Sequence, residues 1–233
     1  MALRRLAGLI AGSLILAGMP VAFAGASTSC QPGPGVSLSG CSFIGTDFTG
    51  VNLSGLNLTG AFFAKVNFAN MDLSHVNLAG DRIEQSNFSK ANLTGANFSG
   101  ADVSNSNFSG AILTNVNMPK AHFAACNFTG VASANVIGGQ TILLPSGWRF
   151  VNGYLIGQGA VLDGANLKGA KLGNTNLTNA SLIGAILTKA NLTKTKLKGA
   201  NLSGVISGGI IGSPVSLPTG WKLVKGTLVP PKS

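Results

Sequence analysis

The sequence predicts an all-β solenoid in two blocks, and three observations support this fold class. Every fifth residue from Leu38 to Phe128 is large and apolar without exception. Residues twenty positions apart also match. The positions that follow Phe48 at intervals of twenty are all Phe, namely Phe68, Phe88, Phe108 and Phe128. The five-residue spacing resumes, shifted by one position, from Leu162 to Leu202. A period of five fits neither a helix nor a simple strand, so it indicates a short unit stacked on itself, with four units in each coil.

The order of residues within each unit predicts which side chains point inward. In Ala91-Asn92-Leu93-Thr94-Gly95, the large residue follows a small one by two positions and a polar one by one position. Two inward and three outward side chains give a square coil, with Gly or Asn at the corners. This pattern resembles that of the pentapeptide repeat family, written A(D/N)LXX. The resemblance covers most of the mature chain and implies a right-handed quadrilateral β-helix.

The chain begins with a predicted export signal. Arg4 and Arg5 precede an apolar run that ends in Ala22-Phe23-Ala24, a small-x-small cleavage pattern, so residues 1–24 form a Sec-type signal peptide. Residues 25–35 then form a flexible leading segment. No later run supplies about eighteen apolar residues, so we expect no transmembrane segment after cleavage. The expected location is secreted, or periplasmic and associated with the cell envelope.

The remaining chain divides into two repeat blocks, each followed by a duplicated cassette. The first block covers 36–130 and its cassette 131–159; the second block covers 160–204, and 205–233 hold the second cassette and a C-terminal tail. Each cassette contains a Leu-Pro-Ser/Thr-Gly-Trp motif that ends at Trp148 or Trp221. Asn152-Gly153 between β-prone runs predicts a hairpin, and Lys225-Gly226 repeats it.

The role of the cassettes is a hypothesis with two alternatives. Terminal coils of a solenoid expose apolar surface and unpaired strand edges, so each Trp is expected to cap the preceding stack. Hairpin residues should cover the outward Ile183 and Ile186, or the open edge of the coil. The alternative is a linker with a buried Trp.

Three cysteines leave one unpaired in an exported chain. Cys41 and Cys126 occupy small inward positions about four coils apart, on the order of 20 Å, which excludes a bridge between them. A disulfide between Cys30 and Cys41 would fix the leading segment, and three free thiols is the alternative.

The net charge of +10 is unevenly distributed. The first block is nearly neutral, whereas the second carries a basic surface composed of Lys168, Lys171, Lys189, Lys194, Lys196 and Lys198. In an exported protein this surface favours an anionic envelope polymer over nucleic acid, and a merely solvated face is the alternative. Cytoplasmic members of the family modulate DNA gyrase by resembling DNA. That activity needs an acidic rod, so the charge and the export signal both oppose it here.

One face of the first block departs from the repeat and gives a candidate binding patch. Three faces carry outward columns dominated by Asn, but the fourth carries Phe62, Arg82, Asp102 and His122, with Glu84 beside Arg82. Residues twenty apart should lie about 5 Å apart in adjacent coils. The patch is either a protein- or ligand-binding site, or a solvated face on which Arg82 and His122 pair with Asp102.

No enzyme, metal site or cofactor is predicted, because a flat ladder offers no pocket and His122 with Asp102 supplies only two ligands. The sequence therefore favours a structural or protein-binding module at the cell envelope, with an unknown protein or an anionic envelope polymer as partner. The alternative is a carbohydrate- or surface-ligand-binding protein that uses outward Ser, Thr and Asn columns or the basic second block. The oligomeric state is open.

Overall fold

The computed structural model describes residue 30 and residues 37–48 and 50–232. The predicted signal peptide, and all of the predicted leading segment except Cys30, lie outside the described residues. The fold is all-β, and its coils stack in parallel.

One wall of the first block is a five-stranded parallel sheet in sequential order. Its strands are β1 (Ser42–Ile44), β2 (Phe62–Ala64), β3 (Arg82–Glu84), β4 (Asp102–Ser104) and β5 (His122–Ala124). Each strand pairs with the next strand in sequence, and each residue lies opposite the one twenty positions later, as Arg82 lies opposite Asp102. The strands have only three residues because the chain turns a corner in every pentad. This register confirms four pentads per coil.

The large residue of every pentad points into the core. From Leu38 to Phe128, each member of the five-residue series is at most 1% exposed, and the same holds from Leu162 to Leu202. Phe88 stacks between Phe68 and Phe108, with ring centroids 4.6 and 4.7 Å away. Burial of one such side chain stabilises the fold by about 1.5–3 kcal/mol, so the ladder provides the main driving force.

The corners need left-handed backbone conformations, which explains the glycines and asparagines there. Gly95 has φ 69° and Asn115, in the next coil, has φ 57°. A Cβ on Gly95 would also lie 2.6 Å from the His75 ring, which covers it from the adjacent coil. A side chain at this corner would therefore have to displace the His75 ring.

The two blocks form one continuous solenoid. Ala132, which stacks on Ile112 of the first block, bridges in parallel to Val161, and the bridges continue from Val161 to Ser181 and Asn201. The Val161 N–H donates to the Val131 carbonyl at 2.9 Å. The second block thus stacks directly on the first, a point that the sequence left open.

Each cassette contains the expected hairpin. In the first, β6 (Arg149–Val151) pairs antiparallel with β7 (Tyr154–Ile156); in the second, β8 (Lys222–Val224) pairs with β9 (Thr227–Val229). Asn152 and Gly153 both have positive φ, at 51° and 82°. Two left-handed residues in a two-residue turn match the twist of the strands they join, so this dipeptide defines the hairpin.

The tryptophans lie at the ends of the blocks. The Trp148 ring meets Phe128, the last large residue of the first block, edge to face at 5.5 Å. Trp148 also packs against the second core, and Trp221 packs against that core from its far end. The hairpins therefore cover coil edges, whereas Ile183 remains 43% exposed.

Cys30 and Cys41 form a disulfide with a Cα–Cα distance of 5.7 Å. Cys126 is a buried free thiol. Its Sγ donates to the backbone carbonyls of Val103 and Ala124, each at 3.6 Å. Burial raises the pKa of this thiol to about 11, so it behaves as a small core residue.

Candidate functional site

Three faces of the first block have their outward side chains bonded to one another. In these columns an Asn side-chain amide donates to the side-chain oxygen of the Asn or Asp twenty residues earlier, at 3.0–3.3 Å. The pairs are Asn77 to Asn57, Asn97 to Asn77, Asn117 to Asn97, Asn87 to Asn67, Asn107 to Asn87, Asn127 to Asn107 and Asn92 to Asp72. The same side-chain oxygens also accept a hydrogen bond from the backbone N–H two residues later, as Asn87 Oδ1 does from the Ser89 N–H. These ladders stabilise the corners and leave few side-chain groups for a partner.

Some of the outward Ser and Thr hydroxyls also bond within the solenoid. The Ser54 hydroxyl lies 2.9 Å from the Ser74 hydroxyl. The Thr94 hydroxyl donates to Asn92 at 2.7 Å. Hydroxyls that bond within the solenoid are poor candidates for a matched array of ligand contacts.

The wall formed by β1–β5 is different, because its outward side chains are charged or aromatic. Arg82 donates from Nε to Glu84 Oε1 at 2.7 Å, and its Nη2 lies 2.6 Å from the same oxygen. The guanidinium carbon lies 5.6 Å from the centroid of the Phe62 ring. Phe62, Arg82 and Glu84 therefore form one cluster in which the Arg side chain is still 68% exposed.

Asp102 and His122 form a second pair on this wall. His122 Nδ1 lies 3.4 Å from Asp102 Oδ1, and the side chains are 48% and 68% exposed. Of the two pairings in the solvated-face alternative, that of His122 with Asp102 is present, whereas Arg82 pairs with Glu84 on its own strand. The ladder thus separates into an aromatic-cationic cluster and a His-Asp pair that lie side by side. We refer to Phe62, Arg82, Glu84, Asp102 and His122 as the wall patch.

The six lysines of the basic surface do not converge on one site. Lys171 and Lys196 stand in different columns, paired with Asn191 and Asn176. Only Lys168 and Lys189 share a groove of about 670 Å³, whose other lining residues are Asn135, Asn152, Tyr154, Asn166 and Gly169. Tyr154 Oη accepts from the Asn166 N–H at 3.1 Å and so fixes the hairpin against the second block. We call this the junction groove; the sequence did not indicate it, because it depends on how the hairpin docks.

The sequence also missed a buried carboxyl group. Asp81 contributes one of the negative charges that make the first block nearly neutral, but it is only 1% exposed. Its Oδ1 accepts from the Ala61 N–H at 2.9 Å, whereas Oδ2 has no hydrogen-bond partner among the described residues. Burial raises the pKa of Asp81 to about 8. The pentad position could have revealed it, since Asp81 lies two residues before Ile83, where the other coils carry Ala or Cys.

No group of three or more His, Cys, Asp or Glu side chains in the described ranges could hold a metal ion. No described residue belongs to a helix with the length and hydrophobicity that a membrane span requires. The wall patch is flat and solvated. Its geometry suits contact with a second surface, rather than chemistry that needs an enclosed site.

Comparison with known proteins agrees with the repeat pattern. The model of pentapeptide repeats matches in eight copies, over residues 35–63, 52–89, 72–110, 91–130 and 165–204. Among curated proteins, no relative matches the sequence.

Solved structures of pentapeptide repeat proteins resemble the fold at low identity. A trypsin-treated variant of QnrB1, a plasmid-mediated fluoroquinolone resistance protein, is 16% identical, with a TM-score of 0.41 over 69% of this chain and 78% of that one. HetL, involved in heterocyst differentiation regulation in the cyanobacterium Nostoc sp. strain PCC 7120, is 20% identical, with a TM-score of 0.28 over 73% of this chain and 80% of that one. A pentapeptide repeat protein of the Arabidopsis thaliana thylakoid lumen is 24% identical, with a TM-score of 0.16 over 59% of this chain and 69% of that one.

Proposed function

Since the chain belongs to the pentapeptide repeat family, we propose that it is an exported, non-enzymatic solenoid that binds a partner protein at the cell envelope through the wall patch. One observation supports this choice above the others. Most outward Asn side chains and some outward Ser and Thr side chains of the other faces bond to their neighbours, whereas the side chains of Arg82, Asp102 and His122 remain 48–68% exposed on a sheet of paired strands.

The composition of the wall patch suits protein recognition. Arg and aromatic side chains are enriched among the interface residues that contribute most of the binding energy. Arg82 lies over the Phe62 ring in a cation–π contact, which becomes stronger when a partner excludes water from it. The five paired strands hold these groups at fixed spacing, so little conformational entropy is lost when a partner binds. Asp102 and Glu84 give the patch both signs of charge, which favours a protein over a purely anionic polymer.

A quantitative pull-down from envelope extracts tests the patch. The bait is the chain from Gly25, compared with a variant carrying Ala at Phe62, Arg82 and His122. The matched control replaces Lys171, Lys194 and Lys196 by Ala and leaves the wall patch intact. We expect a protein that the wild type and the control retain but the patch variant loses at least about tenfold. Equal retention by all three baits would contradict the proposed surface.

Export is tested separately. The full chain, produced in a bacterial host, should appear outside the cytoplasm with a mass that corresponds to cleavage after Ala24. Replacing Ala22 and Ala24 by bulky residues should leave an uncleaved precursor. A full-length, cytoplasmic product from the unmodified sequence would remove the export step and the envelope from the proposal.

The junction groove favours a second function, the binding of an anionic envelope polymer. Lys168 and Lys189 line it together with Asn152 and Tyr154 of the hairpin. Two ammonium groups and side-chain amide donors in one groove suit carboxylate or phosphate groups that repeat along a polymer. Polygalacturonate is a suitable probe, with Lys168 and Lys189 to Ala as the test variant and Lys194 and Lys196 to Ala as the control. Binding that falls equally in both variants would show diffuse charge rather than a groove.

A further inference from the structure

The two hairpins sit on their blocks through equivalent contacts. In each case a backbone N–H of the hairpin donates to the hydroxyl of a serine in the preceding coil, and a backbone N–H of that coil donates to the carbonyl of the glycine in the hairpin turn. The first junction has Leu155 to Ser133 at 2.9 Å and Val136 to Gly153 at 2.9 Å; the second has Leu228 to Ser207 at 3.0 Å and Ile210 to Gly226 at 2.9 Å. The two block ends can therefore be compared position by position.

The junctions differ in the path of the chain beyond the hairpin. After the first hairpin, the chain returns to the coil edge as Gly159–Val161 and forms two backbone hydrogen bonds with it. The Gly130 N–H donates to the Gly159 carbonyl at 3.0 Å, and the Val161 N–H donates to the Val131 carbonyl at 2.9 Å. Ala160 between them is fully buried. This segment is the start of the second block.

At the second junction no described segment returns to the coil edge. After β9 the chain passes into Pro230 and Pro231, and a slot of about 400 Å³ remains between them, Trp221, Leu228 and the coil edge at Ser203, Gly204 and Val205. Within the described residues, no hydrogen bond involves the Gly204 N–H or the Val205 carbonyl. These two groups correspond to the Gly130 N–H and the Val131 carbonyl. The slot thus has the donor, the acceptor and the apolar lining that hold an incoming coil at the first junction.

The leading edge of the solenoid offers the matching groups. Gly50 and Asn52 occupy the same pentad positions as Gly159 and Val161, with Val51 at the inward position of Ala160. No hydrogen bond among the described residues involves the Gly50 carbonyl or the Asn52 N–H. Val51 and Met71, the next residue in the same column, are only partly buried, unlike Ala91 and Ala111 further along it. Among the described residues, the first coil therefore presents one carbonyl and one N–H without a hydrogen-bond partner, and an incompletely covered apolar side chain.

We propose that a second copy of this chain docks head to tail, with its Gly50–Leu53 segment in the slot at Val205 and Trp221. The Gly204 N–H then donates to the partner's Gly50 carbonyl, and the partner's Asn52 N–H donates to the Val205 carbonyl. This reproduces the backbone contacts of Gly159 and Val161 at the first junction.

Two further properties favour this occupant. Every coil contact in the described part of the solenoid is parallel, including that between Ala132 and Val161. A parallel continuation requires a leading edge to meet a trailing edge, whereas two trailing edges related by a two-fold axis would run antiparallel. The ends also differ in charge: Asp47 is the sole charged residue in 37–56, and Lys194, Lys196, Lys198, Lys222 and Lys225 lie near the other end. Opposite charge promotes the encounter.

The contact is heterologous, so every complex keeps one free head and one free tail and association continues as a linear chain. This permits a test with two blocked variants. Val51→Asp places a charge on the head, and Val205→Asp places one in the slot of the tail. Sedimentation velocity is measured on the chain from Gly25, for the wild type, each variant and an equimolar mixture of the variants, over a hundredfold range of concentration. Far-ultraviolet circular dichroism melts check that the variants are folded.

The weight-average mass of the wild type should rise steadily with concentration. Each variant alone should remain monomeric, and the mixture should reach twice the monomer mass and no more, because it contains one intact head and one intact tail. Dimer formation in the mixture also demonstrates that both variants are folded at their intact ends. A wild type that is monomeric throughout would overturn the proposal, and so would association that persists in Val51→Asp or Val205→Asp alone. A wild-type dimer that does not grow would indicate a closed two-fold contact instead.

Discussion

Replacement of Asp81 by Ala should stabilise the protein at neutral pH and not at acidic pH. In the native state Asp81 lies among apolar side chains, with Oδ2 unbonded among the described residues. Its acceptor contacts are dispensable, because the Ala61 N–H also donates to the Leu58 carbonyl at 3.0 Å and the Gly60 N–H to the Ala79 carbonyl at 2.9 Å. Alanine at this position would match Ala61, Ala101 and Ala121 in the same inward column.

The size of the effect follows from proton linkage. Burial raises the pKa of Asp81 from 3.8 to about 8 in the folded protein. Below the unfolded pKa both states are protonated and Asp81 has no pH-dependent effect. As the pH rises from there towards 8, the unfolded state ionises while the folded state keeps its proton, so stability falls. The loss is about 1.4 kcal/mol per pH unit, or about 3 kcal/mol between about pH 5 and about pH 7.5.

Urea denaturation of the wild type and Asp81→Ala at these two pH values measures the difference. The free energy of unfolding of the variant, relative to that of the wild type, should increase by about 3 kcal/mol from the lower to the higher pH. Any cost of the void that the substitution creates is the same at both pH values and cancels in this difference. Asp163→Ala, which removes an exposed carboxyl whose partners are the Ser181 hydroxyl and the Ile183 N–H, is the matched control and should show little change between the two conditions. If the Asp81→Ala difference were independent of pH, the carboxyl would already be ionised in the folded state.

Three further predictions concern the core, the second hairpin and the thiol. Phe88→Asp should abolish the cooperative thermal transition, because a charge would replace a ring that is stacked on both sides. Asn92→Asp should reduce stability by only about 1 kcal/mol, through repulsion from Asp72. Equal losses of stability in circular dichroism melts would contradict the assignment of Phe88 as inward and Asn92 as outward. Trp221→Ala should cost about 2–3 kcal/mol and reduce hydrogen-exchange protection over 162–202 before it affects the first block, and unchanged protection would leave the cassette as a linker. Cys126 should be inert to a thiol reagent in the native protein and react once on unfolding, since burial raises its pKa to about 11; rapid native labelling would show that the thiol is accessible.

The core could be predicted because the repeat constrains it at every fifth residue. An inward side chain in a square coil meets its equivalents above and below, so Phe48 to Phe128 and Leu162 to Leu202 are identified by spacing alone. The hairpin at Asn152-Gly153 was equally accessible, since its turn type requires left-handed residues. The separation of the Phe62 to His122 column from the Asn columns also followed from the period.

Side-chain pairing and docking could not be predicted from the period. Arg82 has carboxylates both on its own strand and on the next one, and the choice of Glu84 over Asp102 depends on rotamers that spacing does not specify. The junction groove depends on the angle at which the first hairpin lies against the second block, which the Tyr154 contact with Asn166 fixes. Asp81 escaped detection for another reason, because its residue type suggested the surface while its position indicated the core.

Regularity also determines where function can reside in this molecule. A repeat that places Asn above Asn satisfies its own polar groups, so the more regular a face is, the fewer groups it leaves for a partner. Sites are then expected at interruptions of the repeat: the wall that carries Arg82 and His122, the groove beside the first hairpin, and the two ends where Gly50 and Gly204 lack the next coil. Substituting Asn for Asp102, which would extend the regular pattern into the fourth wall, should therefore weaken partner binding without loss of stability. A binding assay on that variant, alongside its thermal melt, separates a functional interruption from simple drift of the repeat.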